Sequence, residues 1–352
     1  KSINLDKNNK MKRIGLICML AIVVVACKSE KKEVKKEAVN VYTHRHYKAD
    51  QELFALFEKE TGIQVNVVNA KADELIQKMT IEGDQSPADV LITVDAGRLV
   101  RAKNKGLLQG ANSEFLSATI PSHLKDPENN WFALTKRARV IAYNPMKVAK
   151  EELSTYEDLE NLKWKKRLLI RSSGNIYNQS LLASIIANNG EAAAAKWTKN
   201  IVANMARSPK GNDRDQVKAV VAGEGDLAIV NTYYIGKLLN SKNEEEVKAG
   251  AGVKLFFPNQ EGRGTHINVS GAGVAKYAPN KSNAIKFIEF LLSEKAQQVF
   301  AEANYEYPVN PNVKPSALLM SWGSFKEDNL PLTKLGEYNK KAVLVFDKSE
   351  WK

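Results

Sequence analysis

The chain has 352 residues, 43% of them hydrophobic and 26% charged, which exceeds the usual size of a single core and calls for two lobes. Its formal net charge of +12 is lopsided, because residues 1–39 carry ten Lys/Arg against four Asp/Glu and so hold half of the excess. The other half is spread thinly over the rest as ordinary surface charge, which excludes a phosphate-binding stripe and with it nucleic acid as a partner.

In chain order, the first signal begins at Met11, where Lys12 and Arg13 precede an apolar run, Ile14 to Ala26, that ends at Cys27. The run is too short to span a bilayer and fits the core of a signal peptide. Val24-Val25-Ala26-Cys27 resembles the lipobox of bacterial lipoproteins, which implies cleavage before Cys27 and lipid attachment to it. Residues 1–10 then read as an upstream extension. The stretch 28–38 (KSEKKEVKKEA) is too charged to join a core and reads as a tether. Of the two cysteines, Cys18 leaves with the signal peptide and Cys27 is acylated, so the mature domain has neither a disulfide nor a thiolate ligand.

Short β-branched runs then alternate with amphipathic helical segments. Val39 to Thr43 reads as a strand, Ala49 to Glu60 as a helix with Leu53, Phe54 and Phe57 on one face, and Gln64 to Val68 as the next strand. Asp50 is the expected helix start and Gly62 the stop. Leu75, Ile76 and Met79 mark a second helix, Asp89 to Thr93 a strand, and Ala96 to Lys105 a helix closed by Gly106. This is the grammar of parallel βαβ units. A second set begins near Val140, with strands Val140 to Tyr143, Arg167 to Ile170 and Leu227 to Val230 and helices around 178–188, 191–203 and 233–240. Val269 to Ala275 reads as a return strand, and Asn283 to Leu292 as an amphipathic helix that brings the chain back to the first lobe.

Enzyme motifs are missing: there is no His-Glu-x-x-His, no Gly-x-Ser-x-Gly and no P-loop, and the four histidines, His44, His46, His123 and His266, are scattered. Gly223-Glu-Gly-Asp-Leu-Ala228 fits a dinucleotide fingerprint but precedes its strand instead of following it. Ser122-His-Leu-Lys125 has a Ser-x-x-Lys spacing without the companion motifs. Both are chance matches.

The tyrosines are more informative. His46 and Tyr47 fall after the first strand, Tyr177 after the strand 167–170, and Tyr233 and Tyr234 after the strand 227–230. All three places are strand-to-helix turns at the carboxyl ends of strands, where open α/β sheets place ligands. Any one of these tyrosines is ordinary core packing with a satisfied hydroxyl; three turns together are not.

The segments Thr43-His-Arg-His-Tyr-Lys-Ala-Asp50, Ser172-Ser-Gly-Asn-Ile-Tyr-Asn-Gln-Ser180 and Asn231-Thr-Tyr-Tyr234 resemble the signature turns of the periplasmic ferric-iron-binding proteins of ABC importers, most closely the cyanobacterial-type branch. Asp95-Ala-Gly-Arg-Leu99 and Tyr305-Glu-Tyr-Pro-Val309 add to the likeness. The resemblance implies an α/β, two-lobe periplasmic-binding-protein-like fold of type II with a hinge between the lobes. The expected division is 39–137 with about 265–315 for the first lobe and 138–264 with about 316–352 for the second. It also implies Fe3+ as the transported ligand, held by His46 and Tyr47 from one lobe and Tyr177, Tyr233 and Tyr234 from the other. His44 stands where relatives often carry a small hydroxyl residue, which leaves open whether it contributes. The partners implied are the ferric ion and an ABC importer permease, for a monomer at the periplasmic or cell-surface face of a bacterial membrane, reached only through its lipid.

Ferric ion is small and hard, and phenolate is an anionic oxygen donor suited to it. Four phenolates and a neutral imidazole leave about one net negative charge by formal counting, which needs an offset in a closed cleft. Arg98, Arg45 and Arg139 are the candidate cations. Two other readings compete: the same two-lobe receptor for an oxyanion, with Ser172-Ser173-Gly174 as the anion loop, or for a small organic cation; and a secreted metalloenzyme, which lacks an acid–base partner near the three turns.

Overall fold

The computed structural model describes residues 37–352. The signal peptide, Cys27 and nearly all of the tether lie outside the described residues, and Ala38 already belongs to the first strand. No helix among the described residues is long and apolar enough to cross a membrane.

Ten strands form one continuous, curled sheet: β1 (Ala38–Thr43), β2 (Gln64–Asn69), β3 (Val90–Val94), β4 (Leu108–Gln109), β5 (Phe132–Tyr143), β6 (Leu168–Leu169), β7 (Leu227–Asn231), β8 (Lys254–Phe256), β9 (Ile267–Ala275) and β10 (Tyr307–Pro308). Their order is β2-β1-β3-β9-β5-β7-β6, with β4 on β9 and with β8 and β10 on β5. β1, β2 and β3 are parallel, as their βαβ pattern predicts. β9 then runs antiparallel between β3 and β5, so the return strand fills the middle of the first lobe.

β5 corrects the sequence reading most. The expected strand began at Val140, but the strand starts at Phe132 and serves both halves: Phe132 to Ala138 pair with β9, and Arg139 to Tyr143 pair with β7. Just at the change of partner, the Arg139 N–H donates to the His266 carbonyl (3.0 Å). The Tyr156 hydroxyl, fully buried, accepts from the His266 N–H (3.2 Å) and donates to the Arg139 carbonyl. Two crossing strands, pinned by one phenol, thus connect the lobes.

The period-2 alternation of strands explains why the second half buries both faces. Val140, Ala142, Ala228 and Val230 join the large core that also holds β1, β3 and β9. Ile141, Tyr143, Leu227 and Ile229 face a smaller core built on Tyr156, Trp164 and Trp197, closed by Ala342, Val345 and Phe346 of the C-terminal helix Asn339–Lys348. In the first lobe Leu53, Phe54 and Phe57 of the helix Lys48–Thr61 and Leu75, Ile76 and Met79 of the helix Ala72–Glu82 are buried, as their spacing predicts. The first of these helices starts earlier than expected: Tyr47 is its N-cap and Asp50 lies in its first turn. Gly62, at φ 73, ends it in the left-handed conformation that favours glycine.

Candidate metal centre

The turn after β1 is fixed by a buried cation. Arg45 is 4% exposed; its Nε donates to Asp50 Oδ1 (2.9 Å), one terminal nitrogen to Ser270 Oγ (2.6 Å), and the other to Glu306 Oε2 (3.1 Å). Asp50 in turn accepts the Tyr47 N–H through Oδ2 (3.2 Å). Helix cap, guanidinium and carboxylates therefore hold Tyr47 in place, with the Arg45 guanidinium 5.2 Å from its ring centre. Burial would lower the basicity of Arg45, but Asp50 and Glu306 outweigh it and raise it. His46 stays exposed on the same turn, its Nδ1 3.3 Å from the His44 carbonyl and its ring 5.3 Å from that of Tyr47. His44 is turned inward, and burial together with Arg98, Arg45 and Arg137 pushes its imidazole down to about 3, so it is neutral at ordinary pH.

The other three tyrosines come from two helix starts in the second lobe. Asn175 caps the helix Ile176–Asn189 by accepting the Tyr177 N–H (3.2 Å), and Asn231 is the N-cap of the helix Thr232–Leu239. The two phenol oxygens of Tyr177 and Tyr233 lie 3.1 Å apart. The rings of Tyr233 and Tyr234 lie 4.2 Å apart and 33° from parallel. Adjacent residues inside a regular helix diverge by about 100°, yet in this first turn both rings lie side by side. Burial, followed by neighbouring phenols, raises the hydroxyls of Tyr233 and Tyr234 above the ordinary tyrosine range. Burial, followed by Glu306, does the same to Tyr47. Iron-free, these three are neutral phenols.

Tyr47 meets the second-lobe group through Lys237. Its ammonium sits 3.3 Å from the centre of the Tyr47 ring and 5.4 Å from that of Tyr233, and burial lowers it to about 8. Of the three arginines expected to balance charge, Arg139 is buried and committed to Asp213 (2.7 Å), Asn231 (3.1 Å) and Asn178 (2.7 Å), 5.8 Å from the Tyr177 ring. Arg98 bonds Asp73 (3.3 Å) and the Val94 carbonyl (3.4 Å), and its charge acts on His44. The cations the sequence reading missed are Lys237, Arg171, which lies 5.7 Å from the Tyr177 ring and is bound to Asp213, and Arg137. Arg137 is 1% exposed, its guanidinium lies 5.6 Å from the Tyr177 ring, and none of its three nitrogens has a hydrogen-bond partner. It also acts to lower the Tyr233 hydroxyl. Residues two apart on a strand share a face, so Arg137 lies on the Arg139 side of β5, a relation hidden from the sequence because the expected strand began at Val140.

Four phenols at three helix N-termini and a buried cation without a hydrogen-bond partner meet between the lobes. Among the described residues no cluster of three or more His, Cys, Asp or Glu could hold a metal, so a hard cation here would rely on phenolate.

A two-lobe α/β fold joined by crossing strands, with its polar groups gathered in the interlobe cleft, is the architecture of a solute receptor, and the chain belongs to the bacterial extracellular solute-binding proteins, whose family model matches residues 85–322. The chain is 51% identical to iron uptake protein A1 of Synechocystis over 90% of its own length and 88% of the relative's. It is 31% identical to the major ferric iron-binding protein of Neisseria meningitidis, covering 78% of this chain and 82% of that one. Among solved structures, Trichodesmium IdiA (FutA) in complex with iron and citrate ligands superposes with a TM-score of 0.87 at 50% identity, over 90% of this chain and all of that one. These relatives are binding proteins of transport, not enzymes.

Proposed function

We propose that this protein is the solute-binding component of a bacterial iron ABC importer, which captures ferric ion in the interlobe cleft and hands it to a membrane permease. The observation that carries the reading is the convergence of Tyr177, Tyr233 and Tyr234 on one point opposite Tyr47. These four supply phenolates, with His46 as the fifth donor reaching in from the exposed turn. A ferric ion ionises the phenols it binds, so the site takes up the metal and releases protons. Four phenolates around Fe3+ leave about one negative charge by formal counting, and the unpartnered Arg137 is the cation placed to balance it. Arg45 and Arg139 position Tyr47 and Tyr177; Arg45 faces two carboxylates, Asp50 and Glu306, whereas Arg139 shares the single carboxylate of Asp213 with Arg171. An oxyanion alone would use Arg137 and leave the crowded phenols without a role.

The lobes are assigned as 39–137 with about 265–315, and 138–264 with about 316–352, a division supported by the change of partner in β5 between Ala138 and Arg139. Cys27 carries the lipid that holds the monomer at the periplasmic or cell-surface face of the membrane.

Titration of the iron-free chain with a weakly chelated ferric salt is expected to give a broad visible phenolate-to-iron band saturating at one ion per chain. Tyr233→Phe and Tyr177→Phe should each weaken the band and the affinity. A chain that neither colours nor binds would return the tyrosines to packing and the cargo to an oxyanion or organic solute.

A further inference from the structure

The helix Asn339–Lys348 ends in a turn that returns the chain to the segment preceding Tyr177. Glu350 takes the left-handed conformation at φ 56. Its N–H donates to the Asp347 carbonyl (3.4 Å) and that of Trp351 to the Phe346 carbonyl (3.3 Å), the paired bonds of a left-handed helix cap. Such a cap favours glycine, so a glutamate there leans on the anchoring of the residue that follows. Trp351 is 3% exposed, its ring edge-on to Phe346 at 4.8 Å and 6.2 Å from that of Trp197.

The polar groups of this turn reach the metal centre's own loop. Trp351 Nε1 donates to the carbonyl of Arg171, 180 residues earlier, at 3.0 Å. The Ser173 N–H donates to the Lys352 carbonyl (3.2 Å). Asn178 grips the same stretch, donating through Nδ2 to the Arg171 (2.8 Å) and Ser172 (3.2 Å) carbonyls. What this backbone carries faces the phenols: the Arg171 guanidinium bonds Asp213 (2.8 Å) and lies 5.7 Å from the Tyr177 ring. Asn175, whose own N–H donates to the Ser172 carbonyl (3.1 Å), accepts the Tyr177 N–H (3.2 Å). A shift of residues 171–173 therefore moves both Arg171 and Tyr177.

We infer that Trp351 and Lys352 are positioning residues of the cleft: by clamping the backbone of residues 171–173 they set where Arg171 and Tyr177 stand. The core that Trp351 joins needs only a large apolar ring, whereas the indole N–H and the Lys352 carbonyl both end on the loop before Tyr177. The effect on metal rests on the ferric reading; the clamp does not.

The test compares wild type, Trp351→Phe, which keeps a ring and loses the N–H, and Val345→Ala, which loosens the same core without touching either bond. In the iron-free chain, hydrogen exchange at Ser173 and Asn175 should quicken about fivefold in Trp351→Phe, the worth of one hydrogen bond, and stay unchanged in Val345→Ala. With ferric salt, Trp351→Phe should bind about fivefold more weakly and its visible band should be displaced, while the band of Val345→Ala stays in place. A chain lacking Lys352 loses only the bond to Ser173; it should change in the same direction, and it decides the matter if Trp351→Phe does not fold. Exchange equal to wild type overturns the clamp, whatever the metal does. Faster exchange with unmoved band and affinity overturns the positioning role. A wild type that takes up no iron overturns that role together with the ferric reading, while exchange still decides the clamp.

Discussion

Each buried phenol of the site is protonated until metal arrives, because burial holds Tyr47, Tyr233 and Tyr234 above their ordinary range. Under the proposed ligation the iron-free protein thus carries protons that the loaded protein has lost. By linkage, lowering the pH favours the iron-free side, so affinity falls steadily from neutral into acid, with no plateau in that window. Arg137→Gln keeps the bulk and removes a charge that would stabilise the phenolates; affinity should fall about tenfold, and because three or four protons leave per ion, the pH at which half the iron is held should rise by about a third of a unit. Following the visible band against pH in both proteins checks this, and identical curves would leave Arg137 without a part in the charge balance. The three tyrosine turns were readable in the sequence because strand ends and helix starts are local features. The role of Arg137 was not, because a missing partner is a property of the folded neighbourhood: Asp213 and Glu306 lie far along the chain, and only folding shows that they take Arg139 and Arg45.

At the scale of elements, the helices were legible where one face is apolar and the other polar. Lys48–Thr61 and Lys281–Leu291 fall within two residues of their expected ends. The first half of β5 was not, because Thr135, Lys136 and Arg137 put polar groups in a central strand, where alternation reads as surface. Of these, Lys136 is paired with Glu327, whereas the Thr135 hydroxyl and the Arg137 guanidinium are buried without partners. Arg139 shows the price of that arrangement, since its guanidinium, Asp213 and Asn178 tie β5 to the helices Asp213–Val221 and Ile176–Asn189. Arg139→Leu leaves buried Asp213 with only Arg171 as a cation and should destabilise the chain by about 3 kcal/mol, measured by denaturant unfolding of the iron-free protein. A loss below about 0.5 kcal/mol, the range of an ordinary surface change, would show that Arg171 alone suffices.

Across the whole molecule, the lobes meet at Asp95, whose backbone is held at φ 86 at the end of β3. Its Oδ1 accepts from Ser180 Oγ of the second lobe (2.6 Å) and from the Gly97 N–H (2.9 Å), and its Oδ2 accepts from Asn268 on β9 (2.8 Å). The short helix Thr333–Glu337 packs between the helices Ala96–Asn104 and Ile176–Asn189. Gly336 there lies so close to Val100 that any side chain would collide. Ser180→Ala removes the one bond to Asp95 that crosses the cleft and should weaken iron capture about tenfold, the worth of a hydrogen bond to a charged group. Small-angle scattering should show a more open mean shape in the iron-free variant; unchanged scattering and affinity would make the bond incidental. The antiparallel place of β9 has a consequence for how the molecule is made. Its neighbours β3 and β5 are finished long before Ile267 is synthesised, and neither can complete its ladder without it. A growing chain therefore carries two open strand edges while residues 144–266 are made, and such edges invite pairing with other chains. The second lobe waits longer still, because its smaller core is closed by the C-terminal helix Asn339–Lys348, and until β9 arrives the half-made protein depends on being kept apart from its own copies.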